Sequence, residues 1–152
     1  MNYRLIMALA TGLYTGYLPK ASGTWGSLVA LPIHFGLIHL APTHHGLALA
    51  AILLLAVWTA GSAEKILDQP DPQVVVIDEI VGMLIVLAGA PNTPLAWLLG
   101  FALFRFFDIL KPWPASFCDK NLHGGLGIVL DDVVAGLYAL LALRVLLWVG
   151  QA

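Results

Sequence analysis

The stretch "VVVIDEIVGML", Val74–Leu84, places two acidic residues side by side in an otherwise apolar run. Burying one unpaired carboxylate in hydrocarbon costs several kcal/mol. Asp78 and Glu79 therefore need a compensating group that an ordinary apolar helix does not supply. The pair is the first candidate for a functional site.

The composition around this stretch is that of a membrane protein. Of the 152 residues, 60% are hydrophobic and 11% are charged, and the mean hydropathy is +0.89. Soluble domains carry roughly 25% charged residues. A formal net charge of −2 leaves no basic stripe to neutralise phosphate backbones, which argues against nucleic acid as a partner. We expect one domain over residues 1–152.

Five apolar stretches predict an all-α, polytopic membrane bundle of about five helices. Several are shorter than the roughly 20 residues of an ideal span. A helix starting at Asp71, with Pro72 in its first turn, would lengthen the third stretch. Alternatively, two of the helices form a re-entrant hairpin around "PNTP". The five stretches are Trp25–Ala41, Gly46–Gly61, Asp78–Ala90, Leu95–Phe107 and Val133–Gly150.

Charge is distributed unevenly along the chain. With five crossings, the polar segments 1–24, 62–76 and 108–132 lie on the same face of the membrane. All four lysines lie on this face. Arg144, in the last apolar stretch, is the exception to this distribution of basic residues. The positive-inside rule makes this face cytoplasmic. All nine acidic residues lie within 64–79 or 108–132, and we expect them to form a site at that surface.

Two adjacent acidic pairs are candidate metal ligands. Asp78–Glu79 and Asp131–Asp132 each occur where a predicted span begins. Adjacent carboxylates repel each other unless a cation intervenes, and hard oxygen ligands suit Mg²⁺. Asp71 is a further candidate ligand. The simpler interpretation is that these residues cap helices or favour the helix dipole, which explains Asp71 better than the pairs.

Basic residues near these pairs are candidate phosphate contacts. Arg105 and Asp108 are three residues apart on one helix face, and Lys111 follows them. The stretch "GYLPKASGTWGS" places Lys20 among glycines before Thr24, a pattern that suits phosphate binding. The same stretch would equally make a membrane-surface anchor. The glycine-rich "HGGLG", residues 123–127, is either an anion cradle or a flexible connector.

Other motifs exclude several enzyme classes. The single cysteine, Cys118, rules out an intramolecular disulfide, and a glycine stands where a cysteine-based phosphatase requires arginine. No Gly-x-Ser-x-Gly, Walker loop or Cys-x-x-Cys occurs. The apolar N-terminal run is too short for a secretory signal, so we expect it to be retained. Four histidines are expected to be ordinary rather than catalytic: His34, His39, His44 and His45.

Three motifs in the chain resemble the phosphatidylglycerophosphatase A family. They are "TGYLPKASGTWGS", "DPQVVVIDEIVG" and "FRFFDILKPWPASFCDKNLHGGLGIVLDDVVAG". The resemblance implies a Mg²⁺-dependent phosphatase of the bacterial inner membrane that releases the terminal phosphate of phosphatidylglycerophosphate. The motif residues implied by position are Lys20, Thr24, Asp71, Asp78, Glu79, Arg105, Asp108, Lys111, Asp119, Asp131 and Asp132.

These residues form a working hypothesis for the site. The expected metal ligands are Asp71, Asp78, Glu79, Asp131 and Asp132, holding one or two Mg²⁺ ions. The expected substrate contacts are Lys20, Thr24, Arg105 and Lys111. The expected catalytic set is Asp78, Glu79, Arg105, Asp108, Lys111 and Asp131, with attack by water or by an aspartate both open.

Two other function classes are alternatives. A CDP-alcohol phosphotransferase also uses metal-bound aspartates, but in a compact run, whereas here a whole hairpin separates the acidic pairs. A cation-binding transporter or scaffold predicts polar groups deep in the membrane and on both sides of its midplane. The acidic residues here lie on one side, which disfavours it. The sequence predicts a phospholipid substrate and a membrane partner but no oligomeric state.

Overall fold

The chain folds into helices, and the computed structural model describes residues 2–150. Over that range it contains seven α-helices, one short 3₁₀ turn at Thr15–Tyr17 and no strand. The prediction of an all-α fold is confirmed. The helices are α1 Tyr3–Ala10, α2 Ser22–Leu37, α3 Pro42–Leu67, α4 Ile77–Gly89, α5 Pro94–Leu110, α6 Ala115–Asn121 and α7 Gly124–Val149.

Helix α4 is the centre of the bundle. It packs against α2, α3, α5 and α7, and nine of its thirteen residues are buried. The backbone amide of Val76 donates to the carbonyl oxygen of Ala10 at 2.9 Å, which fixes the segment before α4 to the end of α1. The N-terminal part of the chain therefore sets where α4 begins.

Glycines allow α4 and α7 to approach closely. A Cβ atom on Gly136 of α7 would lie 2.5 Å from the carbonyl oxygen of Gly82 on α4. A Cβ atom on Gly82 would lie 2.7 Å from the carbonyl oxygen of Asp132. Because neither backbone can move away without disturbing its helix, only glycine fits at these two positions. This crossing brings the acidic residues of the two helices together.

Two predicted helix starts are wrong. Helix α4 begins at Ile77, not at Asp71, because Asp71 adopts a left-handed backbone with φ 43° and precedes an irregular segment. Helix α7 begins at Gly124, so Asp131 and Asp132 lie two turns inside it and neither caps it. Residues 124–127 are the first turn of this helix and do not form the flexible connector considered above.

The outer surface of the bundle is apolar. Soluble proteins rarely expose large contiguous apolar patches. Here α3, α5 and α7 each expose several large apolar side chains, as a bilayer-embedded surface requires. These are Leu47, Leu54, Trp58, Leu95, Leu98, Leu137, Leu141 and Val145.

The predicted number of about five spans is not confirmed. Each predicted apolar stretch falls largely within one helix, but only α3 and α7 among the described residues are long and apolar enough to cross a membrane. The thirteen residues of α4 extend about 20 Å, whereas the hydrocarbon core is roughly 30 Å thick.

We expect Gly136→Ala to destabilise the bundle. Alanine normally favours a helix by about 1 kcal/mol over glycine, but here its methyl group would collide with the backbone of Gly82. Overpacking of this kind costs about 1–3 kcal/mol. Unfolding in detergent should occur at a lower temperature or denaturant concentration than in the wild type.

The matched control is Gly36→Ala in α2, where a Cβ atom meets nothing within 4 Å. That variant should be as stable as the wild type or more stable. Equal stability of the two variants would contradict the close crossing of α4 and α7.

Candidate active site

One cavity of about 470 Å³ lies where α2, α4, α5 and α7 meet. It collects acidic and basic side chains from parts of the chain that are far apart in sequence. The charged residues that line it are Asp71, Asp78, Glu79, Arg105, Asp108, Lys111, Asp131 and Asp132. The cavity therefore contains every predicted catalytic residue and every predicted metal ligand.

Three carboxylates form the centre of this cavity. Asp78 and Glu79 occupy the first turn of α4, and Asp132 reaches them from α7. One oxygen from each of the three lies within 4.8 Å of the others, so a single cation could contact all three. Asp78 and Asp132 are buried, with 9% and 3% of their surface exposed.

No basic side chain of residues 2–150 pairs with the three central carboxylates. Asp78 Oδ1, Glu79 Oε2 and Asp131 Oδ1 are buried and have no hydrogen-bond partner within the described chain. No lysine, arginine or histidine of residues 2–150 forms a salt bridge with Asp78, Glu79 or Asp132. The positive end of the α4 dipole favours Asp78 and Glu79, but a dipole of about half a charge does not balance three carboxylates. The residues fit a bound metal ion with hard oxygen ligands.

Two cationic side chains border the carboxylates. Arg105 Nη1 lies 2.6 Å from Asp108 Oδ2, which fixes the guanidinium at the cavity wall. Lys111 Nζ donates to Asp131 Oδ2 at 2.7 Å and also to Asp119. Burial alone would lower the pKa of Lys111, but these two bonds outweigh it and raise the pKa above its ordinary value. Lys111 therefore remains an ammonium ion at neutral pH.

The start of α2 supplies backbone donors to the same cavity. Ala21, Ser22 and Gly23 line it, and Ala21 has a left-handed backbone with φ 53° that turns the chain into the helix. The first amides of a helix lack intrahelical acceptors and can bind an anion. The amides of Ser22 and Gly23 are in this position. Phosphate is an anion of suitable size and charge.

Some predicted contacts lie elsewhere. Lys20 is exposed in an adjoining pocket next to Gln73, and neither Lys20 nor Thr24 lines the main cavity. Asp119 lines a small adjoining pocket of about 120 Å³. Its carboxylate accepts a hydrogen bond from Lys111, which lines the main cavity.

The sequence interpretation missed Ser22, Gly23 and Gln73. Ser22 and Gly23 lie within the glycine-rich stretch "GYLPKASGTWGS", but they contribute through their backbone amides, for which the sequence pattern has no signal, whereas Lys20 and Thr24 have polar side chains. Gln73 has no sequence signal of its own and lines the cavity because the segment before α4 is irregular.

An acidic cavity bordered by arginine, lysine and helix amides, in a helical protein with an apolar surface, is the kind of site that a membrane-bound phosphatase requires. Within this class, the chain matches the family described as Phosphatidylglycerophosphatase A over residues 8–147. The chain belongs to that family, and the resemblance found in the sequence motifs is confirmed.

Three relatives illustrate the membership. Phosphatidylglycerophosphatase A of Haemophilus influenzae is 40% identical over 138 residues, which cover 90% of this chain and 85% of the relative. Phosphatidylglycerophosphatase A of Escherichia coli strain K12 is 36% identical, covering 84% and 75%. A protein of Bacteroides thetaiotaomicron, provisionally named a phosphatidylinositol-3-phosphatase, is 37% identical over 95% of each chain. No solved structure matches this chain.

We expect Gly23→Ala to damage the site. A Cβ atom on Gly23 would lie 2.2 Å from Glu79 Oε1 and 2.7 Å from Arg105 Nη1, so both side chains would have to move. Displacing catalytic groups by about 1 Å can cost on the order of 100-fold in rate. Phosphate release from phosphatidylglycerophosphate should fall by at least roughly tenfold, with a smaller effect on the unfolding temperature.

Gly36→Ala again serves as the control, because it changes the same helix without meeting a neighbour. It should retain full activity. Full activity in Gly23→Ala would mean that Glu79 and Arg105 do not need their present positions.

Proposed function

We propose that this chain hydrolyses phosphatidylglycerophosphate to phosphatidylglycerol and inorganic phosphate. Family membership and the names of two relatives support this reaction. The observation that carries the proposal is the cluster of Asp78, Glu79 and Asp132, which lies beside Arg105 and Lys111 in one cavity. That arrangement suits a phosphate monoester bound through a cation.

The proposed cofactor is Mg²⁺, as one or two ions. Asp78, Glu79, Asp131 and Asp132 would hold it, with Asp71 as a further ligand at the cavity wall. Bound Mg²⁺ supplies a Lewis acid for the phosphate and lowers the pKa of a coordinated water. Carboxylate oxygens without partners support this assignment, since the free energy of burying them is otherwise unfavourable.

The remaining residues would bind and orient the phosphate. The guanidinium of Arg105 and the ammonium of Lys111 stabilise the non-bridging oxygens, whose charge increases in the transition state. The amides of Ser22 and Gly23 bind the same group from the α2 side. Lys20, in the adjoining pocket, would contact the part of the headgroup that remains outside the cavity.

Asp108 has two candidate roles in this reaction. Hydrolysis forms a bond from water oxygen to phosphorus and breaks the bond from phosphorus to the glycerol oxygen, which takes up a proton. Asp108 orients Arg105 through the 2.6 Å contact. When protonated, it could instead donate the proton to the leaving oxygen.

We further propose that residues 1–152 form one domain that crosses the bacterial inner membrane several times, with the site at the cytoplasmic face. The exposed apolar side chains of α3, α5 and α7 support membrane insertion. The confinement of all four lysines to the acidic face supports the orientation.

Metal removal and carboxylate variants test the reaction. Purified protein should release phosphate from phosphatidylglycerophosphate with Mg²⁺ and lose the activity with EDTA. Asp78→Asn, Glu79→Gln and Asp132→Asn should each reduce kcat by roughly 100-fold or more, because each removes a charged ligand from a buried cluster.

Asp68→Asn is the matched control. Asp68 lies in the same acidic segment, does not line the cavity, and has a left-handed backbone that asparagine tolerates. It should retain full activity. Near-normal hydrolysis by Asp78→Asn would refute the metal assignment, and absence of phosphate release in the wild type would favour a non-catalytic cation-binding role.

A substrate panel tests specificity in the same assay. Phosphatidylglycerophosphate should be hydrolysed faster than phosphatidic acid and phosphatidylinositol 3-phosphate. The provisional name of the Bacteroides relative makes the third lipid the informative comparison. A preference for it would reassign the substrate and leave the metal chemistry unchanged.

The native cysteine tests the orientation. Cys118 is half-buried in α6, near the acidic face, and is the only cysteine of the chain. A membrane-impermeant maleimide should label it in inverted vesicles and not in intact spheroplasts. Thr43→Cys in a Cys118→Ser background should show the opposite pattern, because Thr43 is exposed at the start of α3. Labelling of Cys118 in intact spheroplasts would show that the protein has the opposite orientation in the membrane.

A further inference from the structure

A second cavity lies at the other end of α4. Its volume is about 410 Å³, and no acidic residue, lysine or arginine lines it. Leu87, which lines this cavity, lies nine positions after Asp78 along α4, a rise of about 14 Å. The cavity is therefore separate from the acidic site. Its polar lining comes from His34, His45 and Asn92.

The imidazole of His34 has unused hydrogen-bonding capacity. Only 1% of the residue surface is exposed, and neither Nδ1 nor Nε2 has a partner at normal hydrogen-bond distance among residues 2–150, although the side chain of Asn92 is a polar neighbour. Nε2 of His45 is also buried and without a partner. A buried polar group in this state costs about 1–3 kcal/mol. Both side chains border the cavity, so a ligand there could satisfy them.

The two imidazoles are close enough to share an ion. Their ring centroids are 6.0 Å apart. A metal bound at about 2.0–2.1 Å from an imidazole nitrogen lies about 3.2 Å from the ring centroid, so two rings can share one ion up to a separation of about 6.4 Å. The His34–His45 pair is within this limit. Trp97 packs edge-on against His34 with a centroid distance of 5.5 Å and restrains its orientation.

The cavity lining favours a cation over an anion. The C-terminal ends of α2 and α4 border the cavity at Ile38 and Ala88, and the helix dipole gives each of these ends partial negative charge. The start of α3 borders the cavity at Pro42, and α5 begins two residues after Asn92, so positive helix ends are also present and the preference for a cation rests on the side chains. No arginine or lysine is present to bind an anion. Imidazole nitrogen is a ligand for zinc, copper and nickel, whereas Mg²⁺ prefers oxygen.

We propose that His34 and His45 bind one transition-metal ion of the zinc, copper and nickel class in this second cavity. The amide oxygen of Asn92 and water complete its coordination. Because no carboxylate neutralises the ion, we expect a dissociation constant on the order of micromolar rather than the much tighter binding of structural zinc sites. The site does not depend on the proposed phosphatase reaction.

Copper binding by the full chain tests this site. Untagged protein, stripped with EDTA and kept in excess Mg²⁺ to occupy the acidic cavity, is titrated with Cu²⁺. One ion per chain should bind, and its electron paramagnetic resonance spectrum should show coupling to two imidazole nitrogens. Zn²⁺ should compete for the same site only in large excess, because Cu²⁺ binds imidazole more tightly. His34→Gln and His45→Gln should each weaken binding by roughly tenfold or more.

The neighbouring histidines provide matched controls. His39 and His44 are exposed and do not line the cavity, so His39→Gln and His44→Gln should bind Cu²⁺ like the wild type. His45 is only half-buried, so its variant keeps the test valid if His34→Gln fails to fold. Equal weakening in the control variants, or a spectrum with oxygen ligands alone, would overturn the proposal.

Lipid hydrolysis, measured on the same samples, separates this proposal from the phosphatase. All four histidine variants should hydrolyse phosphatidylglycerophosphate at the wild-type rate, because none of these residues lies in the acidic cavity. Loss of Cu²⁺ binding with retained hydrolysis supports a separate site. Normal hydrolysis in a protein that binds no Cu²⁺ would refute the metal site and leave the proposed function standing.

Discussion

The three carboxyl groups clustered at the N-terminal end of α4 impose the main energetic cost of this fold. Asp78, Glu79 and Asp132 are brought within 4.8 Å of one another, and no basic side chain of residues 2–150 pairs with them. Electrostatic repulsion and the loss of hydration both oppose this arrangement. A chain that folds this way gains stability when a cation binds, because binding links the free energy of folding to that of the ion. A cation held by this cluster would therefore couple the stability of the fold to metal occupancy.

Close helix packing makes the acidic cluster possible. The carboxylates of α4 and α7 are about fifty residues apart in sequence and meet because Gly82 and Gly136 let the two backbones touch. A second contact of this kind joins α3 and α7, where a Cβ atom on Gly125 would lie 1.8 Å from the carbonyl oxygen of Val57. In membrane bundles, small residues at helix interfaces replace the hydrophobic driving force. Here they also determine the geometry of a reaction site.

Sequence patterns predicted much of this arrangement, because charge in an apolar chain is costly and therefore informative. The isolated acidic pairs identified Asp78, Glu79 and Asp132 correctly as neighbours at one end of the bundle. Helix boundaries were less predictable. Asp71–Pro72 has the chemistry of a helix start, yet close packing of Val74 against Gly16 keeps this segment irregular. Such a contact is tertiary and leaves no local signal.

The start of α7 was missed for a related reason. "HGGLG" has the composition of a flexible loop, and glycine disfavours helix interiors. In the fold, Gly125 lies against α3, where a larger residue could not fit, and Gly127 lies against the backbone of Leu122. Glycine serves packing here rather than flexibility. Whether a glycine provides flexibility or close packing can be read only from the helix that packs against it.

The size of the acidic cavity limits which part of a lipid substrate can bind inside it. A space of about 470 Å³ is in the range of small-molecule pockets, enough for a phosphorylated headgroup but not for two long acyl chains. The chains of a bound lipid would remain among their neighbours in the leaflet. Encounter would then occur by lateral diffusion in two dimensions. Turnover would follow the mole fraction of substrate in the bilayer, and dilution by other lipids would slow it even at constant bulk concentration.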